Sequence, residues 1–246
     1  VLKLRAAGAA AAWVTRGARA GAAQRLKSAA RIVIAGAGAA GLAAASRLAQ
    51  QLSGAQITLV DARKEHYYQP GFTLVGAGIK PADYVVSQTG SYVPSGVQWV
   101  QERVAEIDPE GNKVVTQSGQ VLPYDFLIVA TGLQLEYGRI EGMEPGLIGK
   151  LGIGSIYNGP DAAAATWGLM SQFATQGGRG VFTRPGTEMK CAGAPLKYTF
   201  LSEDRATRQG GRSKAECGCF SNDAALFSVP IVSEKVRMLF KERNIQ

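Results

Sequence analysis

The most constraining feature of this chain is a strand, a glycine turn, a helix, a second strand and an acid that follow one another between residues 31 and 61. Arg31 to Ala35 reads RIVIA, apolar and β-branched, the pattern of a buried central strand. Gly36-Ala37-Gly38-Ala39-Ala40-Gly41 follows directly, then an alanine-rich helical stretch over 42–52 carrying Leu42, Leu48 and Leu52. QITLVD, Gln56 to Asp61, gives the second strand and the acid. Each part has a task in holding a dinucleotide. Gly36 allows the tight turn, Gly38 lets the backbone approach a pyrophosphate, and Gly41 lets the helix pack on the strand. The exposed N–H groups at the helix start, aided by the helix dipole, favour phosphate charge. Asp61, about 20 residues beyond Gly41, is placed to accept hydrogen bonds from a ribose hydroxyl pair.

A purely structural turn is the plainer reading of any single glycine motif. Here the strand before it, the helix after it and the acid at the second strand's end together favour a nucleotide. An aspartate at position 61, rather than a basic residue, disfavours a 2′-phosphorylated nucleotide and leaves FAD and NAD both open.

His66 to Gly78, HYYQPGFTLVGAG, has no helical periodicity and reads as a loop at the carboxyl end of the sheet, with Tyr67, Tyr68 and Phe72 free to pack or to meet a ligand. His66 reads as a surface turn residue with no catalytic role. From Val97 to Gly132, extended runs alternate with the turns Asp108–Asn112 and Ser118–Gln120, a β-meander inserted into a parallel sheet. Phe126 to Ala130 has no polar residue and is expected to return to the buried parallel sheet, with Thr131 and Gly132 turning beside the nucleotide.

The second half repeats the α/β alternation. Gly159-Pro160 opens a helix with Trp167, Leu169, Met170 and Phe173, and Gly180 to Thr183 forms a short strand. A helix runs from Cys191 to about Arg208, a strand from Ala215 to Phe220, and a last helix over Val232 to Asn244 with Val236, Leu239 and Phe240 on one face. The chain stops where a further strand is expected, so this half reads as an incomplete second α/β domain. The division is a segment over 1–30, a nucleotide-binding domain over 31–150 and the incomplete domain over 151–246.

Charge separates the first segment from the rest. The formal net charge is +8, but six of the 27 basic residues (Lys3, Arg5, Arg16, Arg19, Arg25, Lys27) lie in 1–30 with no acid, which leaves 21 against 19 acids beyond. A near-neutral body is no polyanion binder, so nucleic acid is not an expected partner. The acid-poor, alanine-rich opening has the character of an organelle-targeting segment. No run of 18 apolar residues occurs, so a spanning helix is not expected.

Of the three cysteines, Cys191 carries the chemical interest. It is expected after a strand, at a helix N-terminus, next to Lys190 and near Arg184, all of which favour thiolate over thiol. Taken alone, the segment also suits a small buried side chain at a tight helix entry. Cys217 and Cys219 alternate on a strand and read as packing residues, since no second pair or histidine stands near to complete a metal site.

Together these residues resemble the eukaryotic-type sulfide:quinone oxidoreductases, mitochondrial flavoproteins of the two-dinucleotide-binding-domain class. The likeness covers nearly everything after residue 30. It is most specific in HYYQPGFTLVGAG (His66 to Gly78), VPSGVQWV (Val93 to Val100), YDFLIVATG (Tyr124 to Gly132) and KCAGAPLKY (Lys190 to Tyr198). The fold it implies is α/β, a doubly wound parallel sheet with a β-meander insert and a second α/β domain. The resemblance implies FAD at Gly36, Gly38, Ala39, Ala40 and Gly41, with Asp61 on the adenosine ribose. It also implies Gln69 along the flavin side, Val104 meeting the adenine through its backbone, and Thr131-Gly132 closing the site. Cys191 matches the first of the family's two redox cysteines, and no metal is implied.

The implied activity is oxidation of hydrogen sulfide through a cysteine persulfide, with electrons passing through FAD to ubiquinone and the sulfane sulfur leaving on an acceptor such as glutathione or sulfite. The implied location is the mitochondrial inner membrane, bound peripherally. Family members are much longer: their second redox cysteine, the remaining FAD segment and the membrane-dipping helices would lie after Gln246, and neither Cys217 nor Cys219 matches that cysteine. A type II NADH:quinone oxidoreductase would carry another glycine fingerprint after Val181, where Arg184-Pro185-Gly186-Thr187 stands instead. A reading from another class is a catalytically dead FAD-binding or structural subunit of a mitochondrial assembly.

Overall fold

The computed structural model describes residues 25–187 and 189–246. The expected targeting segment lies, up to residue 24, outside them. In chain order come strands β1 (Leu26–Lys27) and β2 (Arg31–Ala35), helix α1 (Ala39–Gln51), strands β3 (Leu52–Ser53), β4 (Gln56–Val60) and β5 (Glu65–Tyr67), and the short helix α2 (Phe72–Gly76). Strands β6 (Val86–Gln88), β7 (Val97–Val100), β8 (Val104–Asp108), β9 (Lys113–Thr116), β10 (Val121–Pro123) and β11 (Phe126–Val129) follow. Then come helix α3 (Pro160–Gln176), strand β12 (Gly178–Thr183), helix α4 (Ala194–Arg208), strand β13 (Ala215–Phe220) and helix α5 (Pro230–Glu242). Two compact units result, residues 25–62 with 93–131 and residues 63–92 with 132–246.

The first unit is built on a parallel sheet of order β11-β2-β4-β7. Side chains alternate across a strand, so RIVIA serves both faces. Ile32 and Ile34 pack with Leu42, Ala45, Ile57 and Leu59 on the face that α1 covers. Val33 and Val60 pack on the other face with Val100, Val114 and Tyr124. Burial on both faces explains why the strand carries no polar residue between Arg31 and its end. The cover on the second face is the antiparallel meander, order β10-β9-β8. Its first turn is fastened by the Gly111 N–H donating to Asp108 Oδ1 at 2.8 Å.

Strand β11 returns to the parallel sheet, from Phe126↔Ile32 to Val129↔Ala35, but at its edge. Phe126 is 62% and Val129 60% exposed, against the burial its apolar run predicts. An apolar run of this length specifies a strand but not how many neighbours it has. Arg31 and Asp125 fasten the two strand starts: the Asp125 carboxylate accepts from the Arg31 N–H at 2.7 Å and from its guanidinium at 2.8 Å.

The second unit corrects the loop expected over His66 to Gly78. β5 and β6 form an antiparallel pair with His66 opposite Ser87, and a single 3₁₀ turn over Gln69–Gly71 leads into α2. Phe72 and Val75 are buried with Val85, Ile156 and Ala163. His66 is a half-buried strand residue whose ring lies 5.0 Å from that of Tyr92, not a surface turn residue. Two short elements joined by Pro70 and Gly71 leave too few residues for either period to show.

Parallel strands β12 and β13 pair from Gly178↔Ala215 to Thr183↔Phe220 and form the other half of this unit. Phe182, Leu196, Cys217, Phe240 and Ile245 make its core. Helix α4 begins at Ala194, later than the expected start at Cys191, and α5 begins at Pro230, a proline tolerated in a first turn. Past α5, Ile245 bridges Cys217 in parallel and the Gln246 carbonyl accepts from the Cys219 N–H at 2.7 Å, where the further strand was expected. Within the second unit, Tyr198 and Arg205 of α4 donate to the carbonyls of Gly76 and Ala77 and so join 63–92 to the later residues. No helix among the described residues is long and apolar enough to cross a membrane.

Candidate functional site

The turn between β2 and α1 departs from ordinary backbone where the sequence placed its glycines. Gly36 has φ +105°, and a Cβ there would lie 2.3 Å from the Ala130 carbonyl oxygen. A Cβ on Gly41 would lie 1.8 Å from the Gly36 oxygen, so this glycine lets the helix sit on the turn itself as well as near Ile34. At Gly38, the residue before the first helical position, a Cβ would meet nothing within 4 Å. That open space faces the start of α1, whose first N–H groups have no intrahelical acceptor and whose first turn carries no acid. A diphosphate fits such a cradle.

Asp61 follows β4 and is held at three atoms. Its N–H donates to the Val100 carbonyl at 3.1 Å, its carbonyl accepts from Trp99 Nε1 at 3.0 Å, and Oδ2 accepts from the Ala37 N–H at 2.8 Å. The last bond joins the expected ribose acid to the glycine turn. Val104 opens β8 opposite Thr116, half-buried, beside a register shift. Thr131 is exposed at the end of β11.

The second unit carries the other expected residues around one open cleft of about 1720 Å³, lined by Gln69, Gly132 and Cys191 together with Phe72, Tyr157, Lys190 and Tyr198. Gly132 has φ +80° with open space where a Cβ would be. Cys191 is exposed, and its carbonyl accepts from the Ala194 N–H at 3.1 Å, so the thiol stands one turn ahead of α4. Of its two expected cationic neighbours, Arg184 is engaged elsewhere, with Asp223 at 2.8 Å. Lys190 lies over the Tyr157 ring, 5.6 Å from its centroid. Burial pulls the Lys190 ammonium below its ordinary pKa, and Cys191 opposes that pull. Burial pushes the Tyr157 hydroxyl up, with Cys191 adding to the rise.

Cys217 is buried and Cys219 half-buried, and burial pushes both thiols up. Both pack in or against the core, and no cluster of metal-ligating side chains occurs among the described residues. Sequence reasoning passed over Tyr157 and Trp99. Tyr157 stands in a connecting stretch where the one available signal is an aromatic just ahead of a Gly-Pro helix start.

Residues 30–155 match the profile of the pyridine nucleotide-disulphide oxidoreductase family. The chain is 36% identical over 214 residues to the mitochondrial sulfide:quinone oxidoreductase of Mus musculus, covering 87% of this chain and 47% of that protein. It is 36% identical over 223 residues to the mitochondrial sulfide:quinone oxidoreductase of Dictyostelium discoideum, covering 90% and 49%. Among solved structures, the sulfide:quinone oxidoreductase of the hyperthermophilic bacterium Aquifex aeolicus matches with TM-score 0.71 and 25% identity, over 88% of this chain and 49% of that one. The chain spans about half the length of the curated relatives it matches.

Proposed function

We propose, from the premise that this chain belongs to the pyridine nucleotide-disulphide oxidoreductase family, that it is part of an FAD-dependent sulfide:quinone oxidoreductase. The observation that carries this reading is the exposed thiol of Cys191 in a cleft shared with Gln69 and Gly132, in a chain whose sulfide-oxidising relatives match over 87% of its length. The glycine turn and the start of α1 hold the diphosphate through Gly36, Gly38, Ala39, Ala40 and Gly41. Asp61 accepts from the adenosine ribose, the Val104 backbone meets the adenine, and Thr131 and Gly132 close the site. Gln69 lies along the flavin side. FAD, when bound, supplies the two-electron relay from sulfur to ubiquinone.

Cys191 takes up the sulfur. Hydrosulfide attacks the sulfur bridge that Cys191 shares with the family's second redox cysteine; the S–S bond breaks, one cysteine is left as the persulfide and the other as the thiolate, and the two electrons released when the bridge forms again are the pair delivered to ubiquinone. The sulfane sulfur then leaves on a nucleophilic acceptor such as glutathione or sulfite. Lys190, held over Tyr157 and partly shielded from water, favours the anionic sulfur at both stages. The basic opening segment over 1–30 directs the protein to the mitochondrion, where it works at the inner-membrane surface with ubiquinone. Residues 31–150 serve FAD, and 151–246 carry the redox cysteine.

Ubiquinone reduction by the full reading frame, with sulfide or NADH as donor, tests the assignment. A sulfide-dependent rate that disappears in Cys191→Ala while flavin content is retained supports it. An unchanged rate in that variant, or NADH as the better donor, refutes it. Flavin binding without any turnover in the full reading frame would instead favour a structural subunit.

A further inference from the structure

We infer that Trp99 is a positioning residue for cofactor binding, fixing Asp61 through the hydrogen bond from its indole N–H to the Asp61 backbone carbonyl. The inference rests on the proposal that Asp61 holds the adenosine ribose of FAD.

The ladder between β4 and β7 pairs Leu59 with Trp99 and Val60 with Val100, then ends. Asp61 is the next residue, where a chain leaving a sheet ordinarily gains freedom. Here two successive residues of β7 pin it on both sides of its Cα: Val100 accepts from its N–H at 3.1 Å, and Trp99 Nε1 donates to its carbonyl at 3.0 Å. The backbone torsions that aim the side chain are thereby fixed, and the Ala37 N–H at 2.8 Å fixes the carboxylate itself. A carboxylate ordered before binding does not have to lose that freedom when the ribose arrives.

Packing alone does not account for Trp99. Its half-buried ring lies against the core beneath α1, a place any large apolar side chain could fill. What only tryptophan brings is a rigid aromatic body with an N–H at its rim. That N–H is spent on the backbone carbonyl of the expected ribose acid itself.

The test uses the full chain freed of flavin and titrated with FAD and with ADP, which carries the same ribose. Trp99→Phe keeps an aromatic ring and removes the donor; it is expected to weaken both ligands about three- to tenfold, the worth of one net hydrogen bond. Trp99→Leu, also without a donor, should give the same loss. In an Asp61→Asn background, which itself binds both ligands less well, Trp99→Phe should cost little more. Thermal midpoints of all variants establish that each is folded. Wild-type affinity in Trp99→Phe, or an equal fold-loss with and without the Asp61 carboxylate, overturns the inference while leaving the FAD reading intact. A wild-type chain that binds neither ligand overturns both.

Discussion

The hydroxyl of Tyr198 donates to the backbone carbonyl of Gly76 at 2.8 Å. One bond thus joins the helix that begins just after Cys191 to the end of the helix that follows Gln69. The approach is close enough that a Cβ on Gly76 would lie 2.5 Å from Ile156 and 3.2 Å from the Tyr198 ring. The two segments that carry the thiol and the glutamine are held as one piece.

Removing that donor has an effect on stability and a signature in pH. Tyr198→Phe is expected to lower unfolding stability by about 1–2 kcal/mol in urea titrations. Burial pushes the Tyr198 hydroxyl well above its ordinary value. Below pH about 10 the phenol is protonated in both folded and unfolded chains; above it the unfolded chain loses the proton first, so stability falls as pH rises. Tyr198→Phe should lack this residue's share of the alkaline decline, and an unaltered slope in the variant would contradict the assignment.

Two alanine substitutions in the glycine turn should separate folding from binding. Gly41→Ala drives a methyl into the Gly36 carbonyl and is expected to destabilise by about 1–3 kcal/mol. Gly38→Ala meets no protein atom and should leave stability within about 0.5 kcal/mol while flavin content falls, because the methyl occupies the phosphate's space. Thermal melts and flavin absorbance of the purified variants decide the matter. Full flavin content in Gly38→Ala would place the phosphate elsewhere.

The Arg31–Asp125 pair predicts an acid limb. The Arg31 side chain, with its backbone N–H, lowers the Asp125 carboxyl from 3.8 to about 2. A depressed folded value means that this contribution is present above the unfolded pKa and is lost as pH falls through about 4 to about 2. Asp125→Asn should therefore be less stable than wild type at neutral pH, with a gap that closes over that window and narrows in high salt. A gap that persists at pH 2 would show that the bond acts without its charge.

Thiol labelling under native conditions should follow exposure. Cys191 is exposed and should react with iodoacetamide first, whereas burial raises the thiols of Cys217 and Cys219 and shields them from the reagent. Peptide mass spectrometry over time gives the order. Cys217 reacting as fast as Cys191 in the folded chain would contradict its place in the core.

Much of the first unit was readable from residues 31–61 because two of the glycines there answer local demands. Gly36 must adopt a positive φ, and Gly41 must let its helix meet the turn, so both constraints are written within a few residues of sequence. Strand β13 was legible end to end, since an alternating segment with clear flanks carries its own period. The segment over 66–78 was not, because Phe72 and Val75 become helical through burial against Ile156 and Ala163, residues far along the chain.

By itself the sequence determined the βαβ cradle, the meander and the second parallel pair, all of them set by contacts between near neighbours or by a strand's own alternation. Tertiary structure alone decided that β11 lies at a sheet edge, that Arg184 pairs with Asp223 and so leaves Lys190 over Tyr157, and that Trp99 reaches the Asp61 carbonyl. Each of those depends on which distant segment arrives beside a residue. A strand's period records which face is apolar, and holds no record of what will come to cover it.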